Sequence, residues 1–390
     1  MFGGARMATL SAATTVRMSP RWICSRVLAR ALAVAVLAAA VGCSAGTTAS
    51  SSSAATGVTT PAMPGTSGSV APGSTSPPRG ADEPAKRSAG CTTSTSETAA
   101  LGVGKTSSHT LVAGGKERAY RRFIPATYAS TTALPIVVDL HGYIEGAEVH
   151  ARNSDLDAAA AQHGFVNLTP QGTSDAAYWN AGPTADGPDD LGFLTDLLDV
   201  TGAALCVDLT RVYATGLSNG AMMSSLVMCR LSTRFAAVAP VAGLMMPHDC
   251  HPERVVPFVA FHGTADPLLS YDVDGVSDGS KQLPFTPEAE HNFAAVNFQS
   301  TRTGLAQWSS MDGCTATAQE ERVTKSVTRI RHGDCRDGAT IELYVIDGGG
   351  HTWPGSPLSA GAPASPLLGA TTTEISANEV MWAFFERYHL

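Results

Sequence analysis

A serine hydroxyl becomes a nucleophile only beside a base, and the base needs an acid to orient it. The 390-residue sequence contains two G-x-S-x-G turns, Gly216-Leu-Ser218-Asn-Gly220 and Gly275-Val-Ser277-Asp-Gly279. With 38 glycines in the chain the pattern alone says little; context separates the two. Residues 211–215 read as a strand and 221–228 as a helix, so the first motif is a strand–turn–helix whose sharp bend exposes the serine. The second lies among Asp, Gly and Ser with neither element beside it. Ser218 is therefore the candidate nucleophile and Ser277 a loop residue.

The acid and base follow in chain order. After the apolar run 255–261 comes His262-Gly-Thr-Ala-Asp266-Pro, and after the run 341–346 comes Asp347-Gly-Gly-Gly350-His351. Asp266 and His351 thus each stand just past a strand end, where the reactive groups of α/β sheets gather. His262 reads as a structural residue of the strand end, and Asp272 and Asp274 lie deeper in a loop. Charge developing on a carbonyl oxygen must meet preset donors. The amide of Asn219, directly after the serine, is one. The amide of Tyr143, after the turn Leu140-His141-Gly142, is the other. Trp179 and Trp353 are candidates for lining a substrate cleft, with a place in the core as the alternative, and Asp190 for either capping a helix or touching substrate. This chemistry requires no cofactor. Only His248-Asp-Cys250-His251 approaches metal-ligand spacing, and it reads as a polar loop, so no metal is assigned.

The elements that must position these groups alternate. Strand-like runs occupy 118–123, 135–140, 165–169, 211–215, 235–241, 255–261 and 341–346; helix-like runs occupy 190–204, 219–231, 293–310 and 374–388. The runs 135–140, 235–241 and 255–261 do not alternate polar with apolar, as expected of parallel strands covered on both faces. The expected fold is α/β: a doubly wound, mostly parallel sheet with helices on both faces.

The front of the chain is different. Arg21, Arg26 and Arg30 precede the apolar stretch 31–41, which ends at Gly42-Cys43 and is too short to span a bilayer. Residues 1–43 read as a signal peptide. Its end resembles a bacterial lipobox, with Cys43 as the lipidated residue and Ala40 where that motif usually has Leu. In 44–90, 39 of 47 residues are Ser, Ala, Thr, Gly or Pro; this reads as a flexible linker. Residues 91–390 form the folded domain. The six cysteines left, Cys91, Cys206, Cys229, Cys250, Cys314 and Cys335, suggest three disulfides in an exported chain. Cys314 and Cys335 flank a strand-like segment, 320–331, and make the natural local pair. The residues alone leave Cys91 to join Cys206 or Cys250. With a formal net charge of −8 and no Lys/Arg run, the chain lacks the basic face of a nucleic-acid binder.

The ordered set Leu140-His141-Gly142, Pro170-Gln171-Gly172, Trp179-Asn180, Asp189-Asp190-Leu-Gly192-Phe, Val212 to Gly220, Phe235 to Gly243, His262-Gly-Thr-Ala-Asp266 and Gly350-His351-Thr-Trp353-Pro resembles the secreted polyhydroxybutyrate depolymerase and feruloyl esterase group, related to carbohydrate esterase family 1 and including lipoprotein forms. The resemblance covers about 115–390. It implies the α/β-hydrolase fold, Ser218, Asp266 and His351 as the triad, and an acyl-enzyme mechanism. It also implies a Cys229–Cys250 bridge, which leaves Cys91–Cys206. Tyr143 replaces a Cys common in that group, and Ala221 a Gly. The expectation is a serine esterase acting on small or oligomeric feruloyl, acetyl or hydroxyalkanoate esters. It would be monomeric and exported, touching the membrane only through Cys43. The alternatives are a cell-envelope acyltransferase with the same triad and a non-catalytic binding lipoprotein; a dienelactone-type hydrolase would need a Cys nucleophile.

Overall fold

The computed structural model describes residues 85–92, 101–173, 177–360 and 362–390. The expected signal peptide with Cys43, and residues 44–84 of the expected linker, lie outside the described residues. Ten strands form one sheet in the order β1-β2-β4-β3-β5-β6-β7-β10-β9-β8. They are β1 (Lys105–Ala113), β2 (Lys116–Ile124), β3 (Leu134–Leu140), β4 (Val166–Pro170), β5 (Val207–Leu217), β6 (Ala237–Val241), β7 (Phe258–Gly263), β8 (Gln319–Arg322), β9 (Val327–His332) and β10 (Ile341–Ile346). The six from β4 to β10 across the middle are parallel. The hairpins β1–β2 and β9–β8 close the two edges with antiparallel pairing.

Among the described residues seven α-helices accompany the sheet: α1 (Gly146–Ser154), α2 (Leu156–His163), α3 (Asp190–Ala204), α4 (Asn219–Arg230), α5 (Pro287–Ala294), α6 (Thr301–Met311) and α7 (Ala377–Phe385). Neighbouring residues of a strand face opposite sides, and the core divides accordingly. Val212 and Ala214 of β5 join Phe193 and Leu197 of α3, Met223 and Leu226 of α4 and Trp308 of α6 in one cluster. Tyr213 and Leu217 join Leu156 of α2 with Met381, Phe384 and Phe385 of α7 in another. Every residue of β3, β6 and β7 is buried, which is why those runs read as uninterrupted apolar sequence. The fold is the α/β-hydrolase arrangement expected, with the chain reversing its direction of travel across the sheet between β3 and β5.

Two expected elements and the domain start differ from the sequence reading, and β1, α1 and α2 are not among the runs read there. The expected helix 293–310 is broken into α5 and α6, because Thr286 and Ser300 each cap a separate N-terminus, accepting from Ala289 N–H and Thr303 N–H. The segment 320–331 is a hairpin, β8–β9, and not one strand. The folded domain starts before Cys91: Ser88 is buried, donates to the Leu205 carbonyl at 2.6 Å and accepts from Val207 N–H at 3.0 Å.

The disulfides are Cys91–Cys206, Cys229–Cys250 and Cys314–Cys335, the pairing that the local spacing and the resemblance together implied. Bonding to Cys229 removes Cys250 from any metal-ligand role. Three disulfides fit an oxidising compartment.

Candidate active site

Parallel pairing brings the strand ends level: Leu217 pairs with Val241, Val241 with Phe261, and Gly263 with Ile346. Ser218, Asp266 and His351 leave that one edge, beside the switch point between β3 and β5 where such sheets open a crevice. Ser218 has φ 57° and ψ −117°, a region that costs an L-residue about 1–3 kcal/mol. Both sides of the bend are held. Ser218 N–H donates to the Val241 carbonyl at 2.9 Å, and its own carbonyl accepts from Met222 N–H at 2.9 Å. The flanking glycines are dictated by close approach. A methyl group on Gly216 would lie 2.6 Å from the Leu140 carbonyl oxygen, and one on Gly220 would collide with the same atom. Ser218 is half-buried between buried neighbours.

The loops after β7 and β10 meet where Ala265 N–H donates to the Gly349 carbonyl at 2.9 Å. There Nδ1 of His351 bonds Asp266 Oδ2 at 2.8 Å. The other oxygen of Asp266 accepts from Leu268 and Leu269 N–H at 2.8 and 2.9 Å, so the carboxylate is fixed in place. Burial works to raise its pKa, but the adjacent His351 and these hydrogen bonds hold it below the ordinary carboxylate value. With the proton on Nδ1, Nε2 of His351 is the free base. The Ser218 hydroxyl makes no hydrogen bond among the described residues; serine–histidine contacts of this kind often tighten only with substrate bound.

His262 and Ser277 have other duties. His262 Nε2 bonds the Leu269 carbonyl at 2.9 Å and braces the Asp266 loop. Ser277 is spent on the carbonyls of Pro267 and Leu268, with no strand before it. The rival motif is a loop fastener.

The two amides singled out as oxyanion donors, those of Asn219 and Tyr143, are unspent among the described residues. Their setting is built by His141 and Trp179. Gly172 N–H donates to His141 Nε2 at 2.8 Å, so the ring proton is on Nδ1, which donates to the Gly142 carbonyl at 2.7 Å. Glu145 N–H reaches the same carbonyl at 3.3 Å. Since the C=O and N–H of one peptide unit point in opposite directions, holding the Gly142 carbonyl aims the Tyr143 N–H the other way. The turn runs along the elbow: a methyl group on Gly142 would lie 3.6 Å from Ser218 Cβ. Burial pushes the His141 pKa down to about 4, keeping the ring neutral.

Neither Trp lines an open cleft. Trp179 and Trp353 are each 1% exposed, so both take the core place that was the alternative to a substrate contact. Trp179 nonetheless links the two amides. Its indole N–H donates to the His141 carbonyl at 3.0 Å, while its backbone exchanges bonds of 2.7 and 3.1 Å with the Asn219 side chain. Trp353 donates to Asn378 Oδ1 at 3.0 Å. Asp190 neither caps α3 nor reaches the edge: Asp189 is the cap, accepting from Gly192 N–H. Asp190 is a buried partner of Arg118 at 2.7 Å and accepts from Asn180 N–H at 2.7 Å. The Tyr143 ring packs on Phe285 and Phe293, and its hydroxyl donates to the Pro284 carbonyl at 3.0 Å.

Residues 118–269 match the family described as "Esterase PHB depolymerase". The match covers 152 of the 390 residues. The matched span takes in Ser218 and Asp266 and ends before His351, whose place rests on the geometry above. Among curated relatives, "Feruloyl esterase B" of Piromyces equi is 27% identical over 58% of this chain and 41% of its own length. "Putative esterase NocK" of Nocardia uniformis subsp. tsuyamanensis is 29% identical over 70% of this chain and 80% of its own. The chain thus spans less than half of the Piromyces protein. An acetyl xylan esterase from Aspergillus awamori, a solved structure, is similar with a TM-score of 0.46 and 16% identity over 63% of this chain and 94% of that one.

Proposed function

We propose that this chain is an exported serine esterase that cleaves carboxylic esters through an acyl-enzyme. The observation that carries the reading is the Asp266–His351 hydrogen bond, set on the same sheet edge as a strained, half-buried Ser218. His351 Nε2 takes the hydroxyl proton, Ser218 Oγ attacks the ester carbonyl, and the Tyr143 and Asn219 amides hold the oxyanion at the N-terminus of α4. The same imidazole then protonates the departing alcohol, and water repeats the sequence to free the acid and the serine. Asp266 keeps the imidazole in the required tautomer and stabilises its charged form.

The substrates proposed are small or oligomeric feruloyl, acetyl or hydroxyalkanoate esters, a range taken from the family description and the relatives' names. A monomer suffices, since every group named belongs to one chain. Turnover of methyl ferulate, p-nitrophenyl acetate and hydroxybutyrate oligomers tests the reading. Ser218→Ala should lower the rate on the preferred ester by several orders of magnitude at unchanged melting temperature, whereas Ser277→Ala should keep it. Equal rates for wild type and Ser218→Ala would refute it, and transfer of the acyl group to an added sugar in preference to water would make the enzyme an acyltransferase.

Export and anchoring rest on the n-region arginines, the apolar stretch 31–41 and Cys43, with the three disulfides as support. In a bacterial host fed a clickable fatty acid, wild type should be labelled and found with membranes, and Cys43→Ala should not. Unlabelled wild type in the medium would leave plain secretion.

A further inference from the structure

Behind the oxyanion turn lies a buried charge cluster that the reaction as written does not use. His150 of α1 puts Nε2 at 2.7 Å from Asp139 Oδ1 and Nδ1 at 2.9 Å from Glu145 Oε2. The side chains of Asp139 and His150 are 0% exposed. Each ring nitrogen faces a carboxylate oxygen, so each carries a hydrogen and the ring is an imidazolium. The remaining oxygens are occupied. Asp139 Oδ2 accepts from the Ser154 hydroxyl at 2.7 Å, Glu145 Oε1 from Asn153 Nδ2 at 2.9 Å, and Glu145 Oε2 also from Gly142 N–H at 2.8 Å.

The cluster reaches the base as well. The edge of His150 meets the Trp353 ring at 5.6 Å, two residues after His351. Asn153 Oδ1 accepts from the Ser356 hydroxyl at 2.8 Å. Asn378 joins Trp353 to the Ser154 carbonyl, with bonds of 3.0 and 2.8 Å. Helix α1 therefore stands between the turn that carries one oxyanion donor and the loop that carries the base.

We propose that Asp139, His150 and Glu145 are positioning residues for ester cleavage: a clamped imidazolium that fixes the Gly142–Tyr143 turn and, through α1, its placement relative to the His351 loop. This rests on the esterase reading above. Two buried ionisable groups and a third that is 12% exposed cost more desolvation than an apolar brace of the same shape, which argues for a duty beyond filling space. The charge also matters in itself. With the proton on His150 the cluster carries one net negative charge behind the oxyanion site; without it, two. The groups facing His150 are Asp139 from β3, Glu145 from the turn and Trp353 from the His351 loop, with His141 farther off. Burial pushes the His150 pKa down, but the two carboxylates outweigh it and lift it to about 10. Burial raises Glu145, and His150 with the hydrogen bonds brings it down to about 2.

The test uses Ser218-dependent hydrolysis of p-nitrophenyl acetate by the full chain. Glu145→Gln keeps an acceptor for Gly142 N–H and removes the charge, and should lower kcat about 10-fold at nearly unchanged KM; Glu145→Ala, which loses both, should lower it about 100-fold. Asn153→Ala leaves the charges intact, cuts the tie to Ser356, and should also lower kcat about 10-fold. Nitrogen-15 NMR of wild type at pH 8 should show both nitrogens of His150 protonated and only one of His141. Wild-type kcat in Glu145→Gln and Asn153→Ala with only a lower melting temperature would overturn the inference, as would a singly protonated His150. Should Glu145→Ala not fold, the NMR and the two milder variants decide. Wild type without Ser218-dependent turnover would instead fail the esterase reading itself.

Discussion

In the proposed mechanism Ser218 and Asp266 are prepared for chemistry by their neighbours. The serine is bent into a strained conformation and held there by the bonds to Val241 and Met222. The acid is locked by two backbone amides and one imidazole. Replacing Asp266 with Asn keeps the shape but offers an N–H or a carbonyl where His351 Nδ1–H needs an anion. Asp266→Asn should therefore cost about 10⁴ in kcat, the scale of losing the correct tautomer in a serine triad, and a kcat within about 10-fold of wild type would remove Asp266 from its role. The three candidate residues were legible because each follows a strand-like run, and the structure brings them to one sheet edge. Glu145 and His150 were not: they sit in a polar stretch, Glu145-Gly-Ala-Glu-Val-His150, where nothing in the pattern shows that β3 and Trp353 will enclose them.

At the scale of elements, the long regular pieces declared themselves. Helix α3 falls on 190–204 and β10 on 341–346, as read. The misses have physical reasons. Strand β1 is half exposed along its length, so its residues carry no apolar pattern, and α1 is mostly polar with only Ala147, His150, Ala151 and Ser154 buried. The Ser300-Thr301 cap that splits 293–310 is present in the sequence but is outweighed there by the apolar spacing. The end of α6 stores a cost. Asp312 is 1% exposed, both carboxylate oxygens lack a hydrogen-bond partner among the described residues, and it sits at the negative end of the helix. Burial, only partly offset by Arg336, raises its pKa to about 7. An acid raised on folding holds its proton more tightly when folded, so stability falls as pH climbs from about 4 to 7 and stays lost above. Asp312→Asn cannot ionise. It should raise the melting temperature at pH 8 by about 5 °C and leave it nearly unchanged at pH 4, as differential scanning calorimetry at the two values would show; equal shifts at both would deny the ionisation.

Over the whole molecule, sequence and structure agree most where covalent and topological constraints are strong. Three cysteine pairs link the start of the domain to β5, the end of α4 to the segment before β7, and the end of α6 to the β9 region. Together they fasten the sheet at the edge away from the reactive strand ends. The Cys91–Cys206 partner could not be chosen from spacing, because Cys206 and Cys250 both precede strands that start at that edge. The reactive edge is left to backbone amides, two loops and one strained serine. The measurement that tests this most directly is covalent labelling of the intact protein with a fluorophosphonate ester, followed by peptide mapping. One phosphonyl group per chain on Ser218, prevented by Ser218→Ala and slowed strongly by His351→Ala, is the expected result. Labelling at Ser277, or no labelling of folded wild type, would contradict the assignment of Ser218 as nucleophile.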